Sequence, residues 1–401
     1  MRVRVFLRGR RKLWAFGGVC LGVGLTALDL FYAVVAYIPQ YRYRNDFRLM
    51  FGAALTGLNN GYAHLYDLAA QRSAVEGIGP GFYWSPFINP PPLAWLATPF
   101  TAVPFSVAVV LWSALIAGAL WLTWYLLAPG DSLTKAAYGL LWIGLFPAAF
   151  GLMVGQPVAL VAAAVAGCWW LAGRDRPVLA GVALSAIALK PQVALLVPLC
   201  LLVAGHARVF GTWLIVAGFM VLVSLALLGH DGVARYRDAL ALASQWEITR
   251  RYAVSGPLGT GPQLYVAEAI AVVAAVAAAW RWRHTGPGVP IAAGITGSLL
   301  FTPYVGFQDF AMLVVAGWLV IRAQPSGAQV ALLVVGYALL EFALLVLALP
   351  ILLAEALFLA SMIWPGRSVP DPARSVPNVP MLQPDSAHLV PDVPKPGSRL
   401  P

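Results

Sequence analysis

Charged side chains are scarce in this sequence. Lys, Arg, Asp and Glu make up 10% of the 401 residues, whereas 60% of the residues are hydrophobic. A soluble domain normally carries about 25% charged and about 45–50% apolar residues. A water-soluble fold of this length lacks the polar residues to cover so much apolar surface. The composition therefore excludes an ordinary soluble domain and indicates a membrane protein.

A regular alternation of apolar and polar residues is also missing. Strands of transmembrane barrels alternate in this way over about 10 residues, but the apolar runs here are continuous, for example over residues 162–172 and 331–340. Lipid requires every spanning backbone group to be hydrogen-bonded internally, which leaves helices or closed barrels. Because the barrel pattern is absent, the sequence predicts an all-α, polytopic bundle of transmembrane helices.

The cysteines show no metal-ligand spacing. Cys20, Cys168 and Cys200 each lie in an apolar run, which is typical of core cysteines. An internal repeat of fixed period is not visible either. Many transporters are built from inverted repeats, so its absence argues mildly against that class of protein.

Apolar runs of about 20 residues, the length that crosses the hydrocarbon layer of a membrane, recur along the chain. The long runs are residues 13–38, 106–127, 209–228, 264–282 and 329–347. The shorter runs are residues 136–150, 157–171, 179–189, 193–203, 290–300, 310–321 and 351–363. Together they predict about 12 spans, and the proline-rich stretch 87–105 leaves this number open. The basic residues 1–12 precede an apolar run that is too long for a cleaved signal peptide.

Positive charge predicts the orientation of these spans. A net charge of +10 would suggest nucleic-acid binding in a soluble protein. Here the basic residues concentrate in short connectors, which the positive-inside rule places in the cytoplasm. These connectors are residues 174–176, 206–208, 281–284 and 322. We therefore expect no nucleic-acid partner, and membrane lipids around the protein instead.

The opposite face then carries the polar segments. They are a first outer loop at 39–92, a second outer loop at 230–262, and breaks in the apolar sequence at 155–157, 190–192 and 302–309. All of them belong to a transmembrane domain at 1–364. The proline-rich remainder, 365–401, has few apolar clusters and predicts a disordered cytoplasmic tail.

The first outer loop is crowded with aromatic residues. Its residues 47–58 and 64–75 predict two short amphipathic helices at the membrane interface, joined by a turn at 59–61. An aromatic belt that anchors the loop to the membrane is one interpretation. It leaves unexplained Asp46, a carboxylate that lies a few residues after the first span.

Two ionisable residues are candidates for chemistry. Asp46 lies between Arg44 and Arg48, and nearby cations favour its ionised form. It is a candidate general base, with a plain surface ion pair as the alternative. Lys190 lies at a break between apolar segments, where an ionisable group indicates function. Its alternative is snorkelling to the interface.

The order of several short motifs resembles glycosyltransferase family 87, a bacterial family of the multi-span class that depends on polyprenol-phosphate mannose. After Asp46-Phe47 come spaced glycines, Leu65-Tyr66-Asp67 and a Pro-Pro pair with an aromatic residue three positions before it. The later motifs are Gly155-Gln156, Ala180-Gly181 before Lys190-Pro191, and Thr302-Pro303-Tyr304 with Asp309. The resemblance covers roughly residues 13–360.

The resemblance implies an enzyme of the bacterial inner membrane. It implies inverting transfer of a hexose, for which mannose is one candidate, from a polyprenyl-phosphate sugar to a lipid- or glycan-linked hydroxyl outside the cytoplasm. A related transferase of another lipid-linked group, and a transporter or flippase of lipid-linked sugar, are the alternatives. No Asp-x-Asp pair follows the first span, so we expect no divalent metal and no other cofactor.

The resemblance also assigns roles to residues. Asp46 corresponds to the general base of the family, and His230-Asp231 is an alternative base. Candidate cations for the donor phosphate are Lys190, Arg235, Arg237, Arg250 and Arg251. Candidates for substrate binding are Tyr66, Asp67, Gln156, Gln192, Tyr304, Gln308 and Asp309. For Asp67, Gln156, Gln308 and Asp309, helix capping or pairing with exposed backbone is the alternative.

Overall fold

The fold is built from helices. A computed structural model describes residues 11–41, 45–343 and 348–364, and within these ranges every regular element is helical. The helices, numbered in chain order, are α1 (Arg11–Tyr32), α2 (Phe47–Asn60), α3 (Leu68–Glu76), α4 (Pro91–Ala97), α5 (Phe105–Leu127), α6 (Ser132–Ile143), α7 (Phe146–Val154), α8 (Val158–Ala172), α9 (Pro177–Leu184), α10 (Val197–Val203), α11 (Ala207–Ala243), α12 (Pro262–Arg281), α13 (Gly288–Phe301), α14 (Ala311–Arg322), α15 (Gly327–Glu341) and α16 (Ala348–Ile363).

Short turns connect several of these helices. α1 continues through a π-helical turn, Ala33–Tyr37, and one further α-helical turn, Ile38–Tyr41. Single α-helical turns are Glu247–Arg250 and Ser255–Leu258. Turns of 3₁₀ helix are Tyr62–His64, Thr98–Ala102, Ser185–Leu189, Pro191–Val193 and Phe307–Phe310. Several of these tight turns fall at the polar motifs of the sequence.

The membrane-spanning character predicted from composition is confirmed. Within the described ranges, four segments are long and apolar enough to cross a membrane: Lys12–Tyr37, Phe105–Leu127, Ala207–Ala243 and Pro262–Arg281. The bent pair α6 and α7, with 60° between its halves, is a fifth if it forms one span. The other apolar helices are shorter, so the count of about 12 spans stays a prediction.

The predicted runs correspond to the observed helices with local differences. The run 136–150 is two helices because the chain bends between α6 and α7. α11 extends well beyond the predicted run, into the second outer loop, and only Gly229 has non-helical angles inside it. The end of the run 329–347 lies outside the described residues, as does the predicted tail 365–401.

Two apolar cores hold the helices together. The larger one surrounds α13, in which all residues from Val289 to Leu300 are buried. Cys168 and Cys200 lie in this core, whereas Cys20 on α1 is exposed, so the expectation of a core position is wrong for Cys20. α1 packs against α6, where a side chain at Gly22 would meet the backbone of Leu140 at 2.8 Å.

The smaller core belongs to the first outer loop. The two predicted helices are present as α2 and α3, and Gly61 forms the turn after α2 with a φ of +84°. α2 is mostly buried, and Phe47 stacks on Trp112 of α5 with ring centroids 4.8 Å apart. The aromatic residues of this loop thus form a protein core, and α2 does not lie on a lipid surface as expected. This core fixes the position of the chain just before α2.

Candidate active site

Four polar side chains from distant segments meet in one hydrogen-bonded chain, which we call the polar cluster: Asp46, Gln156, Lys190 and Asp309. Gln156 Nε2 donates to Asp46 Oδ2 at 2.6 Å, and Lys190 Nζ donates to Gln156 Oε1 at 2.8 Å. Lys190 Nζ also lies 2.5 Å from Asp309 Oδ1. Each residue comes from a different polar segment of the sequence, so the fold brings together the first outer loop and all three breaks.

Asp46 occupies the position before α2 but does not cap that helix. Its side chain makes no capping hydrogen bond. The neighbouring Asn45 takes this role, because its Oδ1 accepts a hydrogen bond from Phe47 N at 2.9 Å. Asp is a common capping residue, so an Asp that leaves this task to its neighbour has its carboxylate available for other contacts.

The end of α7 holds this stretch of backbone in place. Asp46 N donates to Val154 O at 2.8 Å, and Asn45 Nδ2 donates to Met153 O at 2.8 Å. Trp112 Nε1 donates to Gly155 O at 2.8 Å from the other side. These bonds use carbonyl groups that the end of a helix leaves unpaired, so they fix Asp46 and Gln156 relative to each other.

Gly155 is required at this junction for two reasons. Its φ of +74° lies in the left-handed region, which costs an L-residue roughly 1–2 kcal/mol. A Cβ at this position would also lie 2.9 Å from Asn45 Oδ1 and 3.1 Å from Phe47 Cβ. Any side chain here therefore strains the backbone and pushes against the residues that hold Asp46.

We expect Gly155→Ala to lower the free energy of unfolding by about 1–2 kcal/mol and to reduce activity by displacing Asn45. Thermal unfolding in detergent and an activity assay check both effects. Gly118→Ala on α5 is the control, because a side chain at Gly118 meets nothing within 4 Å and Ala is favoured over Gly in helices. Equal unfolding temperatures and equal activities of the two variants would contradict the proposed role of Gly155 at this junction.

Lys190 and Asp309 form a buried ion pair. The side chain of Lys190 is 4% exposed and that of Asp309 is 1% exposed. The second carboxylate oxygen of Asp309 accepts a hydrogen bond from Gly306 N at 3.0 Å. Snorkelling of Lys190, the alternative considered from the sequence, does not occur. Burying two charges is costly unless they are paired and hydrogen-bonded, and these contacts meet that condition.

Arg48 is the second cation beside Asp46. Its NH1 lies 3.7 Å from Asp46 Oδ1 and donates to Asn45 O at 2.6 Å, while its Nε donates to Tyr83 O. The side chain of Arg48 is 3% exposed. The two carboxylates and two cations at the site balance each other in formal charge. Arg44, the other predicted neighbour, lies outside the described residues.

Asp46 is the open end of the polar cluster. Its side chain is 33% exposed, in contrast to the buried Lys190 and Asp309. Burial by the surrounding protein raises the pKa of the Asp46 carboxyl, although the hydrogen bond from Gln156 and the charges of Arg48 and Lys190 act in the opposite direction. The site thus presents an accessible carboxylate with an elevated pKa, the property of a general base.

The sequence profile of glycosyltransferase family 87 matches residues 87–305 of the chain. The chain belongs to glycosyltransferase family 87. No curated protein and no solved structure gave a significant match. Gln156 and Lys190 lie inside the matched segment, whereas Asp46 lies 41 residues before its start and Asp309 lies four residues after its end. The structure links all four residues, so the polar cluster joins the family segment to the flanking parts of the chain.

Further residues of this glycosyltransferase surround Asp309. Burial raises the pKa of Tyr304 to about 12, and the Asp309 carboxylate adds to this effect. Gln308 lies over Gly151 of α7, since its Cβ is 3.3 Å from where a Cβ on that glycine would be. The backbone oxygen of Gln192 accepts a hydrogen bond from the Thr302 hydroxyl at 3.0 Å. The late motif is therefore packed against α7 and against the break at 190–192.

Two candidate arginines lie near this late motif. Ser255 Oγ donates to Pro303 O at 2.5 Å, and Arg250 NH2 lies 3.5 Å from Ser255 O. Arg250 Nε is buried and has no hydrogen-bond partner among the described residues. Arg251 is exposed and lies over the Tyr252 ring, which packs against Phe307 and Phe310.

The remaining predicted residues lie outside the polar cluster. Tyr66 is buried and donates to Asn89 O at 2.7 Å, and Asp67 caps α3 through the amides of Ala69 and Ala70. Arg235 on α11 donates to Ala63 O at 2.9 Å and so connects the first outer loop to α11. Arg237 is on the same helix. His230 and Asp231 are exposed and follow Gly229, where α11 is interrupted. Their assigned roles stay predictions.

Two residues of the site were missed in the sequence. Asn45 directly precedes Asp46, and this position next to a candidate base is the sequence feature that could have identified it. Trp112 lies in a long apolar helix, where nothing in the sequence separates it from a lipid-facing tryptophan. Among the described residues, no group of three His, Cys, Asp or Glu side chains could hold a metal ion; the expectation of a metal-free reaction remains a prediction.

Proposed function

We propose that this membrane glycosyltransferase transfers a hexose, with inversion, from a polyprenyl-phosphate sugar to a hydroxyl of a lipid- or glycan-linked acceptor. The reaction takes place on the extracytoplasmic face of the bacterial inner membrane. Family membership supports glycosyl transfer. The observation that carries the proposal is the accessible carboxylate of Asp46 at the open end of an otherwise buried polar cluster.

Asp46 acts as the general base in this proposal. The acceptor hydroxyl oxygen bonds to C1 of the sugar, and its proton passes to the Asp46 carboxylate. The bond between C1 and the phosphate oxygen breaks, and its electron pair leaves with the polyprenyl phosphate. A base within hydrogen-bond reach of the hydroxyl typically contributes about 10²–10⁴-fold to such a rate. Attack from the face opposite the phosphate inverts the configuration at C1.

Gln156 and Asp309 position the reacting groups. Gln156 donates to Asp46 and accepts from Lys190, so its amide is held at both ends. Asp309 holds Lys190 and is itself held by the backbone of Gly306. Because Lys190 holds the amide of Gln156, and this amide holds Asp46, the orientation of the Asp46 carboxylate is set before substrate binds. Such preorganisation is the main contribution a protein makes to electrostatic catalysis.

The departing phosphate needs positive charge. Lys190 and Arg250 are the proposed donors: Lys190 lies inside the polar cluster, and Arg250 keeps a buried Nε–H without a partner among the described residues. The planar guanidinium of arginine suits a phosphate because it presents parallel N–H groups. Arg251 lies next to Arg250 on the exposed side. We therefore place the donor headgroup between the polar cluster and residues 250–255.

The proposal is tested by supplying the purified protein, in phospholipid vesicles, with radiolabelled polyprenyl-phosphate hexoses and a membrane extract as acceptor. We expect transfer of label to a membrane-bound product with the opposite anomeric configuration. Nucleotide sugars should not replace the lipid donor. Retention of configuration, or transfer from a nucleotide sugar alone, would overturn the mechanism. Movement of the intact donor across the vesicle membrane without transfer would favour the transporter alternative.

The raised pKa of Asp46 predicts a pH dependence. A general base works only when deprotonated, so kcat/KM should fall as the pH falls through the pKa of Asp46, which burial places above the ordinary value of 3.8. The hydrogen bond from Gln156 lowers this pKa, so Gln156→Leu should move the acidic limb to higher pH. Initial rates across a pH series measure both. An acidic limb that stays in place in the variant would contradict the assignment.

A further inference from the structure

An apolar cavity lies away from the polar cluster, between α6, α14, α15 and α16. It has a volume of about 420 Å³, and apolar and aromatic side chains such as Trp142, Trp318 and Phe358 line it. An adjoining cavity of about 750 Å³ shares Tyr138, Leu141 and other lining residues and extends to α1. None of the four residues of the polar cluster lines either cavity.

Glu355 of α16 is the exception on this apolar wall. It is 3% exposed and lines the smaller cavity, and neither carboxyl oxygen has a hydrogen-bond partner among the described residues. Two other polar groups nearby are paired: Glu341 accepts from Phe146 N at 2.9 Å, and the Tyr337 hydroxyl donates to Leu141 O at 2.7 Å. The indole N–H of Trp142, on the same cavity wall, also has no partner among the described residues, and Glu355 is the residue that adds an unpaired carboxyl group.

An ionised carboxylate alone in apolar surroundings has a very high desolvation cost, so Glu355 is a neutral carboxylic acid. In this form it has one O–H donor and a carbonyl acceptor. Leaving both unpaired costs several kcal/mol in an apolar medium. A bilayer acyl chain that enters the cavity covers the apolar walls but satisfies neither group. A suitable occupant must provide a donor and an acceptor at one end of an apolar chain.

We propose that this cavity is a binding site for a membrane-dissolved lipid alcohol, separate from the glycosyl-transfer site. A single hydroxyl accepts a hydrogen bond from the Glu355 O–H and donates one to its carbonyl oxygen, so one group satisfies both. The chain lies along the apolar walls towards α1. An ammonium lipid would require the ionised acid, and it would leave a charge pair in the middle of the apolar walls.

Labelling with dicyclohexylcarbodiimide tests the site. A neutral carboxylic acid adds its O–H across one C=N bond of this apolar reagent, the proton going to nitrogen, and the acyl group then shifts from oxygen to nitrogen. Nothing else is consumed. In the full-length protein in phosphatidylcholine nanodiscs, we expect peptide mass spectrometry to find label on Glu355. Fragment ions of the labelled peptides separate this label from any on Asp29 of α1 or Glu341 of α15.

Competition identifies the occupant. Dodecanol at ten times its half-saturating concentration should slow labelling of Glu355 by about tenfold, whereas dodecane should not. Equal protection by dodecane would reduce the site to an apolar groove and overturn the hydroxyl recognition. Stronger protection by dodecylamine than by dodecanol would show that the acid is ionised, and it would also overturn the hydroxyl recognition. A lack of labelling at Glu355 with the reagent in excess would overturn the proposal too.

Two variants provide an independent measurement. Glu355→Gln keeps a donor and an acceptor, and Glu355→Leu removes both while also removing the unpaired group, so both should fold. Binding of tritiated dodecanol should be retained within about threefold in the Gln variant and weakened about tenfold in the Leu variant. Equal binding by all three proteins would overturn the proposal. Glycosyl transfer is measured in parallel, so failure of this site is distinguished from failure of the proposed function.

Discussion

Asp46→Asn should lower the rate of glycosyl transfer by about 10²–10⁴-fold, the usual contribution of a general base. Asn has nearly the shape of Asp, and its carbonyl oxygen still accepts the hydrogen bond that Gln156 donates in the wild type. The helix start is capped by Asn45 and not by Asp46. The start of α2 therefore does not depend on the carboxylate. We expect the loss to appear in kcat, with a small fall in the unfolding temperature because Arg48 loses a nearby negative charge.

The assay uses the radiolabelled polyprenyl-phosphate hexose that the wild type accepts. Glu76→Gln is the matched control, because it makes the same carboxylate-to-amide change in the first outer loop. Glu76 is exposed and pairs with Arg72 at 2.8 Å, and exposed pairs contribute little. Wild-type turnover by the Asp46→Asn protein would remove Asp46 from the reaction, whatever the control shows.

Lys190→Met should have the largest combined effect, on both folding and transfer. The substitution leaves Asp309 as a buried carboxylate without its cation, a change that typically costs about 3–5 kcal/mol. It also removes one of the two contacts that hold Gln156. We expect a large fall in the unfolding temperature in detergent and a loss of transfer that includes weaker use of the lipid donor.

A double variant separates the two effects. In Lys190→Met combined with Asp309→Leu both charges are gone, and replacing a buried pair by apolar residues of similar volume is often close to neutral for stability. The unfolding temperature should recover relative to the single variant. Transfer should not recover, and the KM for the lipid donor should remain raised. A double variant with the donor KM of the wild type would reject the phosphate role of Lys190.

Much of the architecture followed from simple physical constraints on the sequence. Continuous apolar runs predicted helices, and the breaks at Gly155, Lys190 and Thr302 predicted polar features on one face. The structure brings these breaks together with Asp46. The reason is that a polar residue in an apolar environment must find a partner, and residues with the same need on one face can supply each other.

Other features depend on packing that a single sequence does not contain. The two predicted helices of the first outer loop exist, yet α2 is buried because Phe47 stacks on Trp112 of α5, which lies 65 residues further along the chain. The pairing of Lys190 with Asp309 joins segments even more distant. Each member has several plausible alternatives in sequence, such as snorkelling or helix capping, and only the three-dimensional arrangement decides among them.

The long sequence separation of the polar cluster has a consequence for how the protein is made. Its members are synthesised in the order Asp46, Gln156, Lys190 and Asp309. During synthesis, Lys190 enters the membrane more than a hundred residues before the partner that neutralises it. A nascent chain that stops before Asp309 carries an unpaired cation and an incompletely held Asp46. Insertion of α13 and α14 therefore brings Asp309 to Lys190 and completes the polar cluster before α15 and α16 follow, which links correct assembly to activity.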